Sequence, residues 1–190
     1  MDCSRITVGL IAANCAKTVV QGVGSKVILL NYEDINRDLS VVVGNVVSNI
    51  ELKADVLGFE FETLPNATDV DTTIKKGKYF PETEDNVVIR IFVKTQAAKD
   101  FIESLKMGKV IPIHQNKELG EDGDTQYEAH GWDCGLEMLE CKSTSAFADK
   151  VVYEIKLGFG DAKETGLPKS VFKTSTVLTE AMLTALTAAQ

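Results

Sequence analysis

The chain has 190 residues, 44% of them hydrophobic and 25% charged, and a formal net charge of −8 at pH 7. Such a composition excludes a chain that is disordered throughout, and the length predicts one domain over 1–190 with an ordinary apolar core. The acidic balance argues against nonspecific binding of nucleic acid or anionic lipid, which needs clustered Lys and Arg. No apolar run reaches the roughly 18 residues of a membrane span, so no membrane partner is expected.

The first 25 residues sustain neither a helical nor a strand period, so residues 1–25 are predicted to be an extended N-terminal arm. Its start, MDCSRITVGLIAANCA, is interpreted as mature sequence, because the apolar segment is too short for a secretion signal. No CxxC spacing occurs, which predicts free thiols in a reducing compartment at Cys3, Cys15, Cys134 and Cys141.

Strands dominate the rest of the chain. KVILLNY (26–32) is typical of a buried strand, and VVIRIFVK (87–94) gives the strongest pattern, with an apolar face at Val87, Ile89, Ile91 and Val93. GFEFETL alternates, which directs one set of side chains to each face of a strand: Phe59, Phe61 and Thr63 against Glu60 and Glu62. Residues 65–71 are predicted to be a polar loop, and 81–86 a polar break before the strongest strand.

Two helices are predicted. The first spans about 96–106 behind Thr95 as N-cap and before Gly108 as stop, and the second spans about 177–188. Between them, VIPIHQNK and TQYEAHGW form a hairpin with an acidic tip at 118–124, and VVYEIKLGF is a further strand. Because βαβ alternation is absent, the fold class is predicted as mainly β (α+β): an antiparallel β-sandwich or barrel with a central and a C-terminal helix.

The stretch YEAHGWDCGLEMLECK (127–142) contains one of the two histidines, the only tryptophan and two of the four cysteines. In an unbroken strand, His130 and Cys134 share a face but lie about 13 Å apart, too far for one zinc ion. A bend at Gly131 and Gly135, with His114 arriving from the partner strand, would allow a His/His/Cys site.

The favoured interpretation of this stretch is structural. It places His130 on a strand surface, Trp132 over a sheet, and Cys134 and Cys141 as small, partly buried side chains. No local signature supports a nucleophilic Cys–His pair, and phosphate-binding and calcium-loop motifs are absent. The sequence therefore predicts no catalytic residue, no cofactor and no metal, and the protein is not expected to be an enzyme.

Four stretches in order resemble structural proteins of bacteriophages of gut Bacteroidetes, and more broadly the tail tube class. They are KVILLNYEDI, KKGKYFPETEDNVVIRIFVKTQAAKDFIESL, YEAHGWDCGLEM and VVYEIKLGFGDAKETGLPKSVFKT. The resemblance implies a virion protein that is made in the host cytoplasm and becomes part of the tail. It implies self-assembly into stacked, usually hexameric rings around a DNA channel, with other tail or connector proteins as partners.

Negative walls would let DNA pass without specific binding. Carboxylates on the polar faces of predicted strands are therefore candidates for the channel lining: Glu60, Glu62, Glu128 and Glu154. The alternatives to a tail tube are another virion ring or connector, a non-catalytic β-sandwich binding module, and a small enzyme built on His114, His130 and a Cys or carboxylate.

Overall fold

A computed structural model describes residues 23–62, 67–77, 80–120, 122–143, 153–161, 164 and 166–188, apart from the side chains of Ser25 and Glu62. Most of the predicted arm lies outside these ranges. Its last three residues, 23–25, belong to the first strand, so the arm prediction is wrong at that boundary.

The described ranges contain eleven strands and two α-helices. In chain order they are β1 Val23–Asn31, β2 Val41–Val43, β3 Val46–Asn49, β4 Phe59–Glu62, β5 Thr68–Lys76, β6 Pro81–Ile91, α1 Gln96–Leu105, β7 Val110–Asn116, β8 Tyr127–Ala129, β9 Glu137–Ser143, β10 Tyr153–Gly158, β11 Lys169–Val171 and α2 Thr176–Thr187.

The strands form two sheets. One has seven strands in the order β2-β3-β11-β8-β7-β1-β4, and the other has four in the order β5-β6-β10-β9. Each neighbouring pair is antiparallel except β11 and β3, which run parallel. The predicted mainly-β sandwich with two helices is confirmed, and the described strands form two open sheets instead of a closed barrel.

The seven-stranded sheet is buried on both faces, and β1 shows this most clearly. Val27 and Leu29 belong to an apolar cluster between the two sheets, whereas Ile28 and Leu30 belong to a second cluster that includes residues of α2. This alternation follows from the period of two in a strand. The protein is therefore layered as α2, the seven-stranded sheet and the four-stranded sheet.

Both helices begin at the caps that the sequence provides. The Thr95 side chain accepts a hydrogen bond from the backbone N–H of Ala98, and Ser175 accepts one from Leu178. The predicted spans are confirmed to within one residue. Helix α1 adds its buried residues to the cluster between the sheets, and its Phe101 stacks on Phe61 of β4 with ring centroids 5.6 Å apart.

The β5–β6 hairpin corrects two predictions of irregular structure. Residues 68–71 and 81–86 are paired strand, in a register that runs from Thr68 opposite Ile89 to Lys76 opposite Pro81. The polar residues of these stretches predict a loop, but they belong to strands, and some of their side chains face the core. Thr83 is fully buried and donates its hydroxyl hydrogen bond to the carbonyl of Gly166.

Two further expectations are wrong. Val93 is 56% exposed, because β6 ends at Ile91 and the apolar alternation does not extend to it. Cys141 is exposed, since it lies in a part of β9 whose side chains face solvent. Cys134 is partly buried and Trp132 is 3% exposed, as predicted.

Candidate functional site

A tight turn directly after β8 directs His130 into the protein. Gly131 and Gly135 have positive φ angles of 68° and 74°, and the Gly135 N–H donates to the carbonyl of Gly131. The chain then returns along Val110, which pairs with Leu136. His130 is therefore 1% exposed, and the prediction that it lies on a strand surface is wrong because the strand ends one residue before it.

Gly131→Ala is expected to destabilise the protein by about 1–2 kcal/mol, the cost of a left-handed conformation for a residue with a Cβ. A Cβ at this position would also lie 2.8 Å from Cγ of Leu136, which is fully buried. The measurement is urea unfolding followed by circular dichroism. Gly166→Ala is the matched control, because a Cβ there meets nothing within 4 Å; an equal loss in both variants would contradict this role for Gly131.

The two histidines meet between the sheets. His114 comes from β7, and its Nδ1 lies 3.1 Å from Nε2 of His130. The rings stack with centroids 4.9 Å apart and an interplanar angle of 30°. Both side chains are 98% or more buried, so their polar atoms need partners inside the protein.

The outer nitrogen of each ring faces an oxygen. Nε2 of His114 lies 2.8 Å from Oδ1 of Asn116, whose amide group donates to the carbonyl of Thr125. That second bond fixes the amide orientation, so the oxygen is the atom that faces the ring. Because an oxygen without a proton only accepts, Nε2 of His114 carries the ring proton.

At the other ring, Nδ1 of His130 lies 3.2 Å from Oδ2 of Asp85, which belongs to β6 in the four-stranded sheet. The contact is at ion-pair distance but lacks the alignment of a good hydrogen bond. Neither atom has a hydrogen-bond partner in the described part of the chain, so each is the other's polar neighbour. The second carboxylate oxygen of Asp85 accepts from the hydroxyl of Thr72 on β5 at 2.6 Å.

These contacts form one polar chain across the interior of the sandwich: Thr72, Asp85, His130, His114 and Asn116. Burial, and in second place the neighbouring His130, lower the pKa of His114 to about 3. His114 is therefore neutral at pH 7. Its 3.7 Å approach to the Glu128 carboxylate is consequently not a salt bridge at that pH.

Glu128 completes a cluster of possible metal donors. It lies directly opposite His114 in the β7–β8 register and two residues before His130. One ligand atom from each of these three residues lies within 4.8 Å of the others. Sequence reasoning considered His114 and His130 with a Cys or a carboxylate but did not pick out Glu128, although the predicted hairpin brings it beside both.

Cys134 lies in a different environment. Its sulfur is 4.0 Å from Oε1 of Glu164, and burial, followed by the Glu164 charge, raises the pKa of the thiol to about 11. The thiol is therefore protonated at pH 7, and a thiolate is what nucleophilic or metal-binding chemistry requires. Burial also raises the pKa of Glu164 itself. In the described ranges, the possible metal donor that lies beside the two histidines is therefore Glu128 and not the cysteine of the predicted His/His/Cys alternative.

The four candidate channel carboxylates are not brought together. Glu60 lies opposite Ile28, on the α2 side of the seven-stranded sheet, and pairs with Lys26 at 2.7 Å. Glu128 lies between the sheets, and Glu154 lies on the outer face of the four-stranded sheet, beside Arg90 at 3.0 Å. Glu62 ends β4, and its side chain lies outside the described part.

The outer face of the four-stranded sheet carries several ion pairs. Arg90 bridges Asp69 and Glu154, at 2.7 and 3.0 Å, and Lys75 pairs with Glu84 on the neighbouring strands. Along β6, the charged residues alternate with buried Val87 and Ile89, so their side chains point to the opposite face of the sheet. Such exposed pairs contribute little to stability, so this face is open to other uses.

In the described residues, no helix combines the length and apolar character needed to cross a lipid bilayer. Comparisons of the chain with protein-family models, with curated proteins and with solved structures find no match.

Proposed function

We propose that this chain is a structural virion protein that assembles into stacked rings and forms a phage tail tube through which DNA passes. The observation that carries the proposal is the edge of the seven-stranded sheet. Strand β2 forms this edge in the described structure, and its residues Val41, Val42 and Val43 are 46%, 39% and 70% exposed. An apolar edge strand invites pairing with another chain, and monomeric proteins normally protect such edges.

The opposite edge of the same sheet offers the complementary surface. It is formed by β4, where Phe59 is 55% exposed. Pairing β2 of one copy with β4 of the next is a head-to-tail contact, and repeated rotation closes such contacts into a ring. A ring built in this way removes both open edges and continues the sheet from copy to copy.

The charged outer face of the four-stranded sheet is the better candidate for the channel wall. The α2 side of the seven-stranded sheet is covered by a helix, and the other face is core. Of the four predicted channel carboxylates, Glu154 lies on this wall together with Asp69 and Glu84. The net charge of −8 agrees with a wall that repels phosphate instead of binding it.

The test is negative-stain electron microscopy with light scattering over a concentration series. The native protein is expected to form rings that stack into hollow tubes. Val43→Lys is expected to raise the concentration needed for assembly at least about tenfold, because a charged edge residue blocks strand pairing. Val177→Lys is the matched control, since Val177 is 72% exposed in the first turn of α2, outside both edge strands.

Three other outcomes of this experiment would change the proposal. Single rings of fixed number that do not stack would replace the tube by a connector. A protein that remains monomeric at every concentration would contradict assembly and favour a β-sandwich binding module. Equal assembly of the Val43→Lys and Val177→Lys variants would remove β2 from the subunit contact.

A further inference from the structure

The inference concerns the space between the two buried histidine rings. Both outer nitrogens face oxygens: Nε2 of His114 faces Asn116 at 2.8 Å, and Nδ1 of His130 faces Asp85 at 3.2 Å. The Asn116 oxygen accepts the ring proton from Nε2 of His114, and the Asp85 carboxylate beside Nδ1 of His130 favours the ring proton of His130 on that nitrogen. In that arrangement the inner nitrogens, 3.1 Å apart, would direct two lone pairs at each other.

Two lone pairs at this distance repel unless a cation lies between them. We propose that His114, His130 and Glu128 bind a divalent transition-metal ion, with Zn²⁺ as the best fit, through Nδ1 of His114, Nε2 of His130 and the Glu128 carboxylate. Two histidines and one carboxylate form a known zinc ligand set. The inference is independent of the proposed tube function.

The geometry accommodates such an ion. Zn–N bonds of 2.0–2.1 Å to two nitrogens at the observed separation give an N–Zn–N angle of about 100°, close to the tetrahedral value. The Glu128 carboxylate lies 3.7 Å from Nε2 of His114, and because its side chain is 33% exposed it has freedom to turn an oxygen towards Nδ1 and the ion. It is also the solvent-facing member of the three, which gives the ion an entry path and leaves a position for water.

The surroundings match those of metal-binding histidines in general. Such histidines donate their second N–H to a carboxylate or carbonyl oxygen, which fixes the tautomer and the ring orientation. Asn116 has this place behind His114, and the Asp85 carboxylate lies 3.2 Å from Nδ1 of His130 in the corresponding position. The carboxylates of Glu128 and Asp85 together balance the charge of a divalent ion, which reduces the cost of placing it in the interior.

The test uses the full-length protein, made metal-free with EDTA and kept reduced, titrated with ZnCl₂ by calorimetry and with CoCl₂ by visible spectroscopy. We expect one ion per chain and the visible bands of Co²⁺ in a site of low coordination number. Glu128→Gln is expected to weaken binding at least about tenfold. Glu154→Gln, on the outer sheet face, is the matched control and is expected to bind as the native protein does.

Asp85→Asn provides a second variant that keeps the fold. An asparagine amide can donate to Nδ1 of His130, which moves the ring proton to Nε2 and directs it at His114. This variant is expected to remain folded by circular dichroism and to lose at least about tenfold in Zn²⁺ affinity, the size of effect typical for the partner behind a ligand.

Three results would overturn the proposal. The first is no stoichiometric binding of either ion at micromolar protein, which would assign the space between the rings to a shared proton. The second is binding that Glu128→Gln and Asp85→Asn leave unchanged. The third is a sulfur-to-cobalt charge-transfer band, which would assign the ion to cysteine.

Discussion

Ile89→Ala is expected to destabilise the protein by about 2–5 kcal/mol, the range for deleting a large aliphatic side chain from a packed core. Ile89 lies near the C-terminal end of β6 and is fully buried, with Ile155 of β10 directly opposite. It belongs to the cluster that joins the two sheets, together with Val27 and Leu29 of β1. The loss would therefore weaken the contact between sheets as well as one strand pair.

The measurement is the free energy of unfolding from urea titration, followed by two optical probes to test for a two-state transition. Val88→Ala is the matched control, because Val88 is the neighbouring residue and its side chain lies on the outer face of the same strand. We expect a cost there of about 1 kcal/mol or less, from strand propensity alone. Similar losses in the two variants would contradict the assignment of faces in β6.

Periodicity was sufficient to predict the fold class and both helices. A continuous apolar run predicts β1, alternation of apolar residues predicts part of β6 and β10, and Thr95 as N-cap predicts the start of α1. Residues 68–71 and 81–86 of the β5–β6 hairpin are predicted to be irregular because polar side chains, buried Thr83 and Asp85 among them, break the apolar pattern. A sequence pattern does not identify a buried polar residue unless its partner is known. The partner of Oδ2 of Asp85 is His130, which follows a strand of the other sheet.

The candidate site shows the same limit. The sequence points to residues 127–142 as the stretch that contains the candidate site, and a bend at Gly131 and Gly135 is one of the two arrangements that it allows. Strand geometry alone predicts that His130 and Cys134 share one face. In the structure, the turn that contains the two glycines places the two side chains in different environments. The pairing of His114 with Glu128 is a matter of hairpin register. Register depends on which residues form the turn, and the acidic tip at 118–124 allows several choices.

The largest electrostatic effect is expected at Asp85. In metal-free protein, Asp85→Ala is expected to cost about 1–3 kcal/mol, the usual penalty for leaving buried polar groups without a partner. The change removes the acceptor of the Thr72 hydroxyl and the polar neighbour of Nδ1 of His130, and both groups lie in the polar chain between the sheets. Water is kept out, because the Asp85 side chain is 1% exposed.

Asp85→Asn separates the loss of hydrogen bonding from the loss of charge. The asparagine oxygen can accept from Thr72, and its amide can donate to His130. His130 then donates through Nε2 to His114, and His114 donates to Asn116 as before. Every member of the chain keeps a partner, so we expect a cost of about 1 kcal/mol, the net value of a typical hydrogen bond. Urea unfolding in EDTA measures both variants; if Asp85→Asn loses as much as Asp85→Ala, the polar chain does not stabilise the sandwich through hydrogen bonds.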